Sequence, residues 1–224
     1  MAKILNLETT TTNCSVSIGI NNEVAVLKED KEDGYSHAEK LHVFIEEALA
    51  EVNLQLNDLD AIAVSKGPGS YTGLRIGVSA AKGLCYSLGI PLISISTLEA
   101  LAHQVTPENK EEVIVPMLDA RRMEVYTAVY SSEKLLISPI EAKILEEHSF
   151  DNYFSDFHPV HFIGNGVKKF EEISSAKNAF FIDALPSAKE MVKLAEAKYK
   201  ISDTEDVAYF EPYYLKDFVV NRKI

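Results

Sequence analysis

The sequence has no tryptophan, few cysteines and an excess of acidic over basic residues. Only Cys14 and Cys85 occur in 224 residues, far apart and without a Cys-x-x-Cys or Cys/His spacing. Neither a disulfide framework nor a zinc site is therefore indicated. With 22 basic and 34 acidic residues the net charge is −12, and no run of Lys and Arg is present. Because affinity for nucleic acids comes mainly from cations that neutralise phosphates, we expect any RNA to be bound indirectly, through another protein.

Long hydrophobic segments are also missing. The apolar start of the chain reaches Glu8 after a few residues, which is too short for a signal peptide. The longest uncharged run, residues 83–98, is interrupted by Gly89 and Pro91 and falls short of a membrane span. We therefore expect a cytoplasmic protein with no membrane contact. Hydrophobic residues make up 46% of the chain, which is enough for a substantial core.

Hydrophobic periodicity predicts an alternating α/β fold. Three β-rich runs at residues 3–7, 14–20 and 24–28 are separated by short turns, so they should pair antiparallel. A Ser-x-x-Glu capping box at Ser36 and Glu39 opens an amphipathic helix. The elements that follow are a strand at 61–64, a helix from Thr72, a strand at 91–95 and a short helix after Ser96.

The same order of elements begins again near Val113, without a visible sequence repeat. It predicts strands at 113–118, 125–130 and 134–137, a weak helix at 145–153, a strand at 161–163, a short helix at 167–173, a strand at 180–182 and a final helix opened by Ser187. We therefore predict two α/β lobes, residues 1–106 and 107–224, each a mixed sheet flanked by helices. We expect the last helix and the tail to pack back on the first lobe.

Residues 66–89, KGPGSYTGLRIGVSAAKGLCYSLG, form the most unusual stretch of the chain. Gly67, Pro68 and Gly69 impose a tight turn after a buried strand, because Gly adopts backbone angles that other residues avoid and Pro fixes one of its own. Ser70 or Thr72 can cap the helix that follows. A strand, a glycine-rich turn and a helix N-terminus together form a shape suited to an anion such as phosphate.

The predicted helix after this turn carries small residues every four positions, at Gly73, Gly77 and Ala81. Together with Gly83 it contains three glycines, each of which costs about 1 kcal/mol relative to Ala in a helix. A helix that bears this cost is expected to need its glycines for close packing. A strip of small side chains would let another backbone lie close to the helix.

Several motifs resemble the bacterial TsaB family, also called YeaZ. They are KGPGSYTGLRIG at 66–77 with AKGL at 81–84, the first turn Glu8-Thr9-Thr10, Ser36-His37 before the first long helix, PMLDARRMEVY at 116–126 and PYYLK at 212–216. The resemblance spans almost the whole chain. It implies the fold of the actin, sugar kinase and heat-shock ATPase superfamily, with two lobes.

The resemblance also implies a role in forming N6-threonylcarbamoyladenosine in tRNA, at the adenosine that follows the anticodon. In that system TsaB is a partner subunit, its paralogue TsaD is the transferase and TsaE supplies an ATPase activity. It follows that ATP and metal belong to the partner subunits and that this chain has no cofactor of its own.

A comparison with the catalytic paralogue supports a non-catalytic role. Where this chain has residues 96–101, the TsaD family has a motif that resembles Val-Asn-His-Leu-Glu-Ala-His. The two His of that motif bind a metal. Thr97 and Leu101 stand at those positions here, and Leu cannot coordinate a metal. Ser70 is not in a Gly-x-Ser-x-Gly elbow, so it is not expected to be a nucleophile. We therefore predict neither catalytic nor metal-binding residues.

We hypothesise that the first two long helices bind the transferase subunit. The residues assigned to this contact are Ser36, His37, Leu41, Thr72, Gly73, Leu74, Arg75, Ile76, Gly77, Ala80, Ala81 and Leu84. An isolated chain could form a homodimer through the same helices. The candidate phosphate turn, formed by Thr9, Thr10, Gly67, Gly69 and Ser70, is then inherited from a nucleotide-binding ancestor.

Two other classes of function remain open. An ATP-dependent kinase or ATPase of the same fold would hold phosphate with Thr9, Thr10 and the Gly67 turn, although Glu8 replaces the usual Asp and no adenosine motif is recognisable. A peptidase of the M22 class, an older label for the family, would need a metal pair or an activated nucleophile.

Overall fold

The computed structural model describes residues 2–31, 37–154 and 158–216. Its first half contains β1 (Lys3–Glu8), β2 (Cys14–Ile20), β3 (Glu23–Asp30), α1 (His37–Glu51), β4 (Ala61–Gly67), α2 (Tyr71–Leu88), β5 (Leu92–Ser96) and α3 (Thr97–Ala102). Its second half contains β6 (Val113–Asp119), β7 (Glu124–Ser131), β8 (Leu136–Ile144), β9 (Val160–Ile163), α4 (Val167–Glu171), β10 (Ala179–Ile182) and α5 (Ala188–Lys200).

The two halves build sheets of the same topology. The first sheet has the order β3-β2-β1-β4-β5 and the second has the order β8-β7-β6-β9-β10. In each, the first two connections are antiparallel and the last two pairings are parallel. Tight turns suffice for the antiparallel pairs, whereas the parallel pairs need crossovers. The prediction of two lobes, each a mixed sheet flanked by helices, is confirmed.

The first sheet is covered on both faces. Leu5 and Leu7 of β1 point to the face on which α1 and α2 pack, whereas Ile4 points to the opposite face. That opposite face is covered by α5, whose Met191 and Ala195 are fully buried. The last helix of the chain therefore packs on the first lobe, while the lobe boundary at residues 106 and 107 stays a prediction.

The second sheet has a core rich in aromatic side chains. Phe150, Phe162 and Phe170 are fully buried and contact one another at ring-centroid distances of 4.9 to 5.4 Å. Between the two sheets lies α3, on which Leu98 and Leu101 pack against the second sheet. The lobes therefore share an apolar contact in addition to their covalent connection.

Two predicted elements of the second lobe are wrong. The predicted helix at 145–153 is a series of turns that ends in a short 3-10 helix, Asp151–Tyr153. The apolar residues of this segment follow no helical period, and its buried side chains are chiefly those of Leu145 and Phe150. The predicted strand at 134–137 begins two residues later and continues to Ile144, because Pro139 is tolerated at the edge of a sheet.

The segment after α5 runs along the first lobe and ends on the second. The Glu205 N–H donates to the Leu92 carbonyl at 2.8 Å, and Lys82 Nζ donates to the Phe210 carbonyl at 2.7 Å. At its end, Lys216 forms an ion pair with Glu124 of β7. Among the described residues, no helix combines the length and hydropathy needed to cross a bilayer.

Candidate functional site

The glycine-rich turn and the first turn of the chain pack directly on each other. The Ser70 N–H donates to the Thr10 carbonyl at 2.7 Å, and Thr9 Oγ1 donates to the Gly73 carbonyl at 2.8 Å. A Cβ atom placed on Gly69 would lie 2.5 Å from the Thr10 carbonyl oxygen, and one on Gly73 would lie 1.9 Å from the Thr9 carbonyl oxygen. The N-terminus of α2 is thus closed by the backbone of the first turn.

A buried carboxyl group occupies the polar centre of this contact. Glu8 accepts hydrogen bonds from the Thr10 N–H at 2.6 Å, from Thr10 Oγ1 at 2.5 Å and from the Ser65 hydroxyl. Burial raises the pKa of Glu8, with these hydrogen bonds opposing the shift. Gly67, at φ +111°, lies under the Tyr213 carbonyl of the C-terminal segment.

The structure therefore brings the five residues of the candidate phosphate turn together but does not leave them open. The Thr9 and Thr10 hydroxyls and the Thr10 and Ser70 N–H groups donate to carbonyl and carboxyl oxygens of this chain. A phosphate at this point would face the Glu8 carboxyl and two carbonyl oxygens in place of a ring of N–H groups. The shape predicted from the sequence is present, and the protein itself fills it.

The predicted partner surface on α1 and α2 needs a correction. Six of its members are buried inside this chain, so in this fold they cannot touch a partner: His37, Leu41, Gly73, Leu74, Gly77 and Ala81. Gly77 faces Thr9, whose Oγ1 atom would be 2.3 Å from an added Cβ. We call Gly73 and Gly77 the inner glycines of α2. The close approach of α2 to the first turn explains why glycine is needed at both positions. Ser36 lies outside the described residues.

His37 contributes to the first turn as well. Its Nε2 atom lies 2.6 Å from the Thr11 carbonyl oxygen, so that nitrogen carries the proton. Burial lowers the pKa of His37, although the contacts with Thr11 and Asp30 oppose the shift, and a neutral ring is favoured. The side chain thereby joins the start of α1 to the first turn.

The remaining predicted residues lie on the outward side of α2. Thr72 and Arg75 are exposed, whereas Ile76, Ala80 and Leu84 are half-buried at the edge of the core. Four further exposed residues of α2 were not predicted: Ser79, Gly83, Tyr86 and Ser87. We call Thr72, Ile76, Ser79, Ala80, Gly83 and Ser87 the outer strip. The same spacing of three and four residues could have identified it, but the inner glycines give the stronger sequence signal.

Gly83 differs from the inner glycines in having nothing against it. A Cβ atom placed there would meet no atom within 4 Å. Within the described residues, no contact requires glycine at this position. Ile76, Ala80 and Leu84 are half-buried against the apolar core of the first lobe, so the surface around the outer strip is partly apolar.

Tyrosines and cations meet where α2 begins. The Arg75 guanidinium lies 4.1 Å from the centroid of the Tyr71 ring, and its Nε donates to the Tyr214 hydroxyl at 3.3 Å. The rings of Tyr71 and Tyr214 are 5.0 Å apart. A cavity of about 40 Å³ beside them is also lined by Tyr126 and Lys216 of the second half of the chain.

The two positions that the sequence resemblance aligned with metal ligands, Thr97 and Leu101, are packed in the interior. Thr97 and Leu101 are fully buried, and Leu101 contacts the apolar cluster that includes Ile114 and Leu118. The neighbouring His103 bonds through Nδ1 to the Glu99 carbonyl of its own helix. In the ranges that the structure describes, no three His, Cys, Asp or Glu residues are grouped as a metal site would require.

Comparison with known proteins places these features in a family. Residues 34–223 match the family model for TsaD, tRNA N6-adenosine threonylcarbamoyltransferase. The tRNA threonylcarbamoyladenosine biosynthesis protein TsaB of Haemophilus influenzae is 31% identical, over 99% of this chain and 96% of that protein. The protein of the same name from Escherichia coli is 27% identical, over 99% and 98% of the two chains.

Two solved structures are similar over nearly the whole chain. YeaZ from Pseudomonas aeruginosa superposes with a TM-score of 0.83 at 26% identity, covering 96% of this chain and 100% of that chain. A structure described as an uncharacterized protein with similarity to peptidase YEAZ, also from Pseudomonas aeruginosa, gives a TM-score of 0.82 at 25% identity, with the same coverage.

Proposed function

Because the chain belongs to the TsaB family of tRNA threonylcarbamoyladenosine biosynthesis proteins, we propose that it is a non-catalytic partner subunit in that pathway. It binds a TsaD-like transferase and works with a TsaE-like ATPase, in the cytoplasm. ATP and metal are held by those partners, and tRNA is brought to the complex chiefly by them. In the absence of the transferase, the same surface supports a homodimer.

The observation that carries the proposal is Gly83 on the outer strip. Glycine in a helix interior costs about 1 kcal/mol relative to alanine. The cost at Gly77 is explained by Thr9, whereas at Gly83 an added Cβ has open space around it. A partner that lies close to the helix would explain why glycine occurs at position 83, because interfaces form around apolar anchors that are brought into close contact. Ile76 and Leu84, half-buried beside the strip, are suitable anchors.

The test is a bulky charge at Gly83, with a matched change elsewhere. Gly83→Arg should weaken binding to the TsaD-like subunit by at least about 100-fold, since roughly 2.7 kcal/mol is a small fraction of an interface energy. Ala197→Arg adds the same side chain to an exposed position of α5 and should leave binding unchanged. Gly83→Arg should not lower the thermal stability of the chain, because Arg is a better helix former than Gly, and Ala197→Arg should leave it nearly unchanged.

Affinity can be measured by calorimetric titration with the TsaD-like subunit of the same organism. The modified nucleoside in tRNA can be quantified by mass spectrometry in a reaction reconstituted with the TsaD-like and TsaE-like proteins. Equal affinity of the Gly83→Arg and Ala197→Arg variants would exclude the outer strip as the interface. A native chain that fails to stimulate modification would contradict the proposed role as a whole.

The kinase or ATPase alternative predicts an open phosphate turn. The contacts of Thr9, Thr10 and Ser70 favour the companion role over this alternative, because these donors already bond to oxygen atoms of this chain. Titration of the isolated chain with ATP and magnesium should give no binding in the micromolar range. Binding with turnover would favour the ATPase reading.

A further inference from the structure

A second surface lies at the hairpin between β6 and β7, and it carries two unpaired arginines. Arg121 and Arg122 are exposed and have consecutive positive φ angles of 70° and 51°. Residues other than Gly, Asn and Asp rarely adopt such angles, which cost of order 1 kcal/mol each. The turn is held by the Arg121 N–H, which donates to Asp119 Oδ1 at 2.6 Å. Two bulky cations therefore occupy positions where small residues fit better.

The acidic residues of this hairpin do not neutralise the arginines. Asp119 is paired with Lys169, whose Nζ lies 2.7 Å from Oδ1, and Glu124 is paired with Lys216. Among the described residues, neither arginine has an ion-pair partner. The hairpin and its two lysines thus carry a local excess of two positive charges on a chain whose net charge is −12.

Aromatic side chains adjoin Lys216, the lysine that pairs with Glu124 of the hairpin. Tyr126 follows Glu124 by two residues and lines the same small cavity as Tyr71, Tyr213, Tyr214 and Lys216. Tyr213 and Tyr214 are 40% and 37% exposed, so parts of their rings face solvent. Cations that contact phosphates beside exposed aromatic faces are the combination that binds single-stranded nucleic acids.

We propose that this cation–tyrosine surface, formed by Arg121, Arg122, Lys216, Tyr126, Tyr213 and Tyr214, binds a single-stranded segment of RNA. The cavity of about 40 Å³ has room for only a few water molecules, so it cannot enclose a free nucleotide. An open surface with spread charges suits a strand that offers several phosphates and bases. The choice of tRNA as the RNA rests on the proposed function.

The proposal revises the expectation that RNA is bound only through other proteins. The net charge of −12 opposes binding of a polyanion, so the contact must be local and weak for the isolated chain. We expect a Kd of about 10 to 100 μM at low salt, in the range of non-specific complexes.

The test measures fluorescence anisotropy of a labelled, unmodified anticodon stem-loop RNA with the full chain at several salt concentrations. Replacing the turn by Arg121→Asn with Arg122→Gly removes both guanidinium groups and supplies residues that accept positive φ. This double variant should be at least as thermally stable as the native chain. Its affinity for the RNA should fall about tenfold or more. The slope of log K against log salt should fall by about 1.4, or 0.7 for each phosphate lost.

A matched control removes two positive charges from other parts of the surface. Lys110 precedes β6 and Lys200 ends α5, and their side chains are 87% and 63% exposed. The double variant Lys110→Gln with Lys200→Gln should change the RNA affinity by less than about twofold. Tyr214→Leu should weaken binding about fivefold or more by loss of stacking, with the salt slope unchanged.

Three results would overturn the proposal: no RNA binding by the native chain at low salt, equal affinity and slope for the Arg121/Arg122 variant, or complete displacement of the RNA by micromolar AMP. The last would indicate a mononucleotide site. The outcome is independent of the partner assays. RNA binding without stimulation of tRNA modification would contradict the proposed function and leave this surface in place.

Discussion

Two glycines on the same helix should respond in opposite ways to replacement by alanine. In Gly77→Ala, the new Cβ would lie 2.3 Å from Thr9 Oγ1, so α2 or the first turn must shift. Overpacking costs about 1–3 kcal/mol, and disturbing the bond from Thr9 Oγ1 to the Gly73 carbonyl costs about 1–2 kcal/mol more. The gain in helix propensity offsets about 1 kcal/mol of this. The net loss of unfolding free energy is therefore about 1–4 kcal/mol.

Gly83→Ala is the control for this change, because its Cβ meets no atom within 4 Å. It should raise the unfolding free energy by about 1 kcal/mol. Thermal unfolding followed by circular dichroism separates the two, since a loss of 2 kcal/mol lowers Tm by about 4–8 °C for a chain of this length. In the Gly77→Ala background, Thr9→Ala should recover stability, whereas alone it should reduce it. An unchanged or raised Tm for Gly77→Ala would refute the close packing of α2 on the first turn.

Three further predictions concern titration and helix capping. Because the pKa of Glu8 is raised in the folded state, the stability of the native chain falls as pH rises from about 4.5 through the folded pKa. The Tm of Glu8→Gln should therefore rise relative to that of the native chain between about pH 4.5 and 7. A constant Tm difference would contradict this. Burial alone would raise the pKa of Glu112, but hydrogen bonds, chiefly from His161 at 2.8 Å, lower it. The contribution of Glu112 to the free energy of unfolding is thus present above about pH 4.5 and lost as pH falls through the folded pKa. Glu112→Gln should therefore lower Tm at about pH 7 and much less at about pH 3. Equal effects at both pH values would exclude the pairing of Glu112 with His161. Ser187 Oγ accepts from the Lys189 N–H at 3.1 Å, and Ser187→Ala should cost about 1 kcal/mol in a urea unfolding experiment, whereas Ser187→Thr, which keeps the hydroxyl, should cost less.

The sequence predicted the fold well because its signals are local. Short turns between β1, β2 and β3 require antiparallel pairing, and a helix between strands indicates a crossover. The errors occur where burial follows no regular period, as at Leu145 and Phe150. The strand predicted at 134–137 extends to Ile144 as β8, because an edge strand tolerates Pro139.

The candidate site was predicted less completely, because sequence periodicity identifies a face of a helix without saying what covers it. Gly73, Gly77 and Ala81 form a regular strip, and a contact with a partner or with the same chain would require the same residues. Only the position of Thr9, far away in sequence, decides between the two. From the sequence alone, Arg121 and Arg122 are interpreted as an ordinary charged corner between two strands. Their φ angles and the pairing of their acidic neighbours are known only from the structure.

The outer strip and the cation–tyrosine surface meet at the first turn of α2. Thr72 belongs to the strip, while Arg75, one turn further on, bonds to Tyr214 of the second surface. A partner docked on the strip would therefore stand beside RNA bound at Arg121 and Arg122. Its own cations would add to the chain's weak affinity, as two linked sites do.

We consequently expect the transferase subunit to raise the RNA affinity of the native chain by about 100-fold or more. Gly83→Arg should abolish that increase and leave the weak binding of the isolated chain unchanged. Arg121→Asn with Arg122→Gly should remove the weak binding and preserve assembly with the partner. Anisotropy titrations with and without the transferase measure both effects. If the two variants lost the same property, the two surfaces would be one, and the separation of partner contact from RNA contact would be wrong.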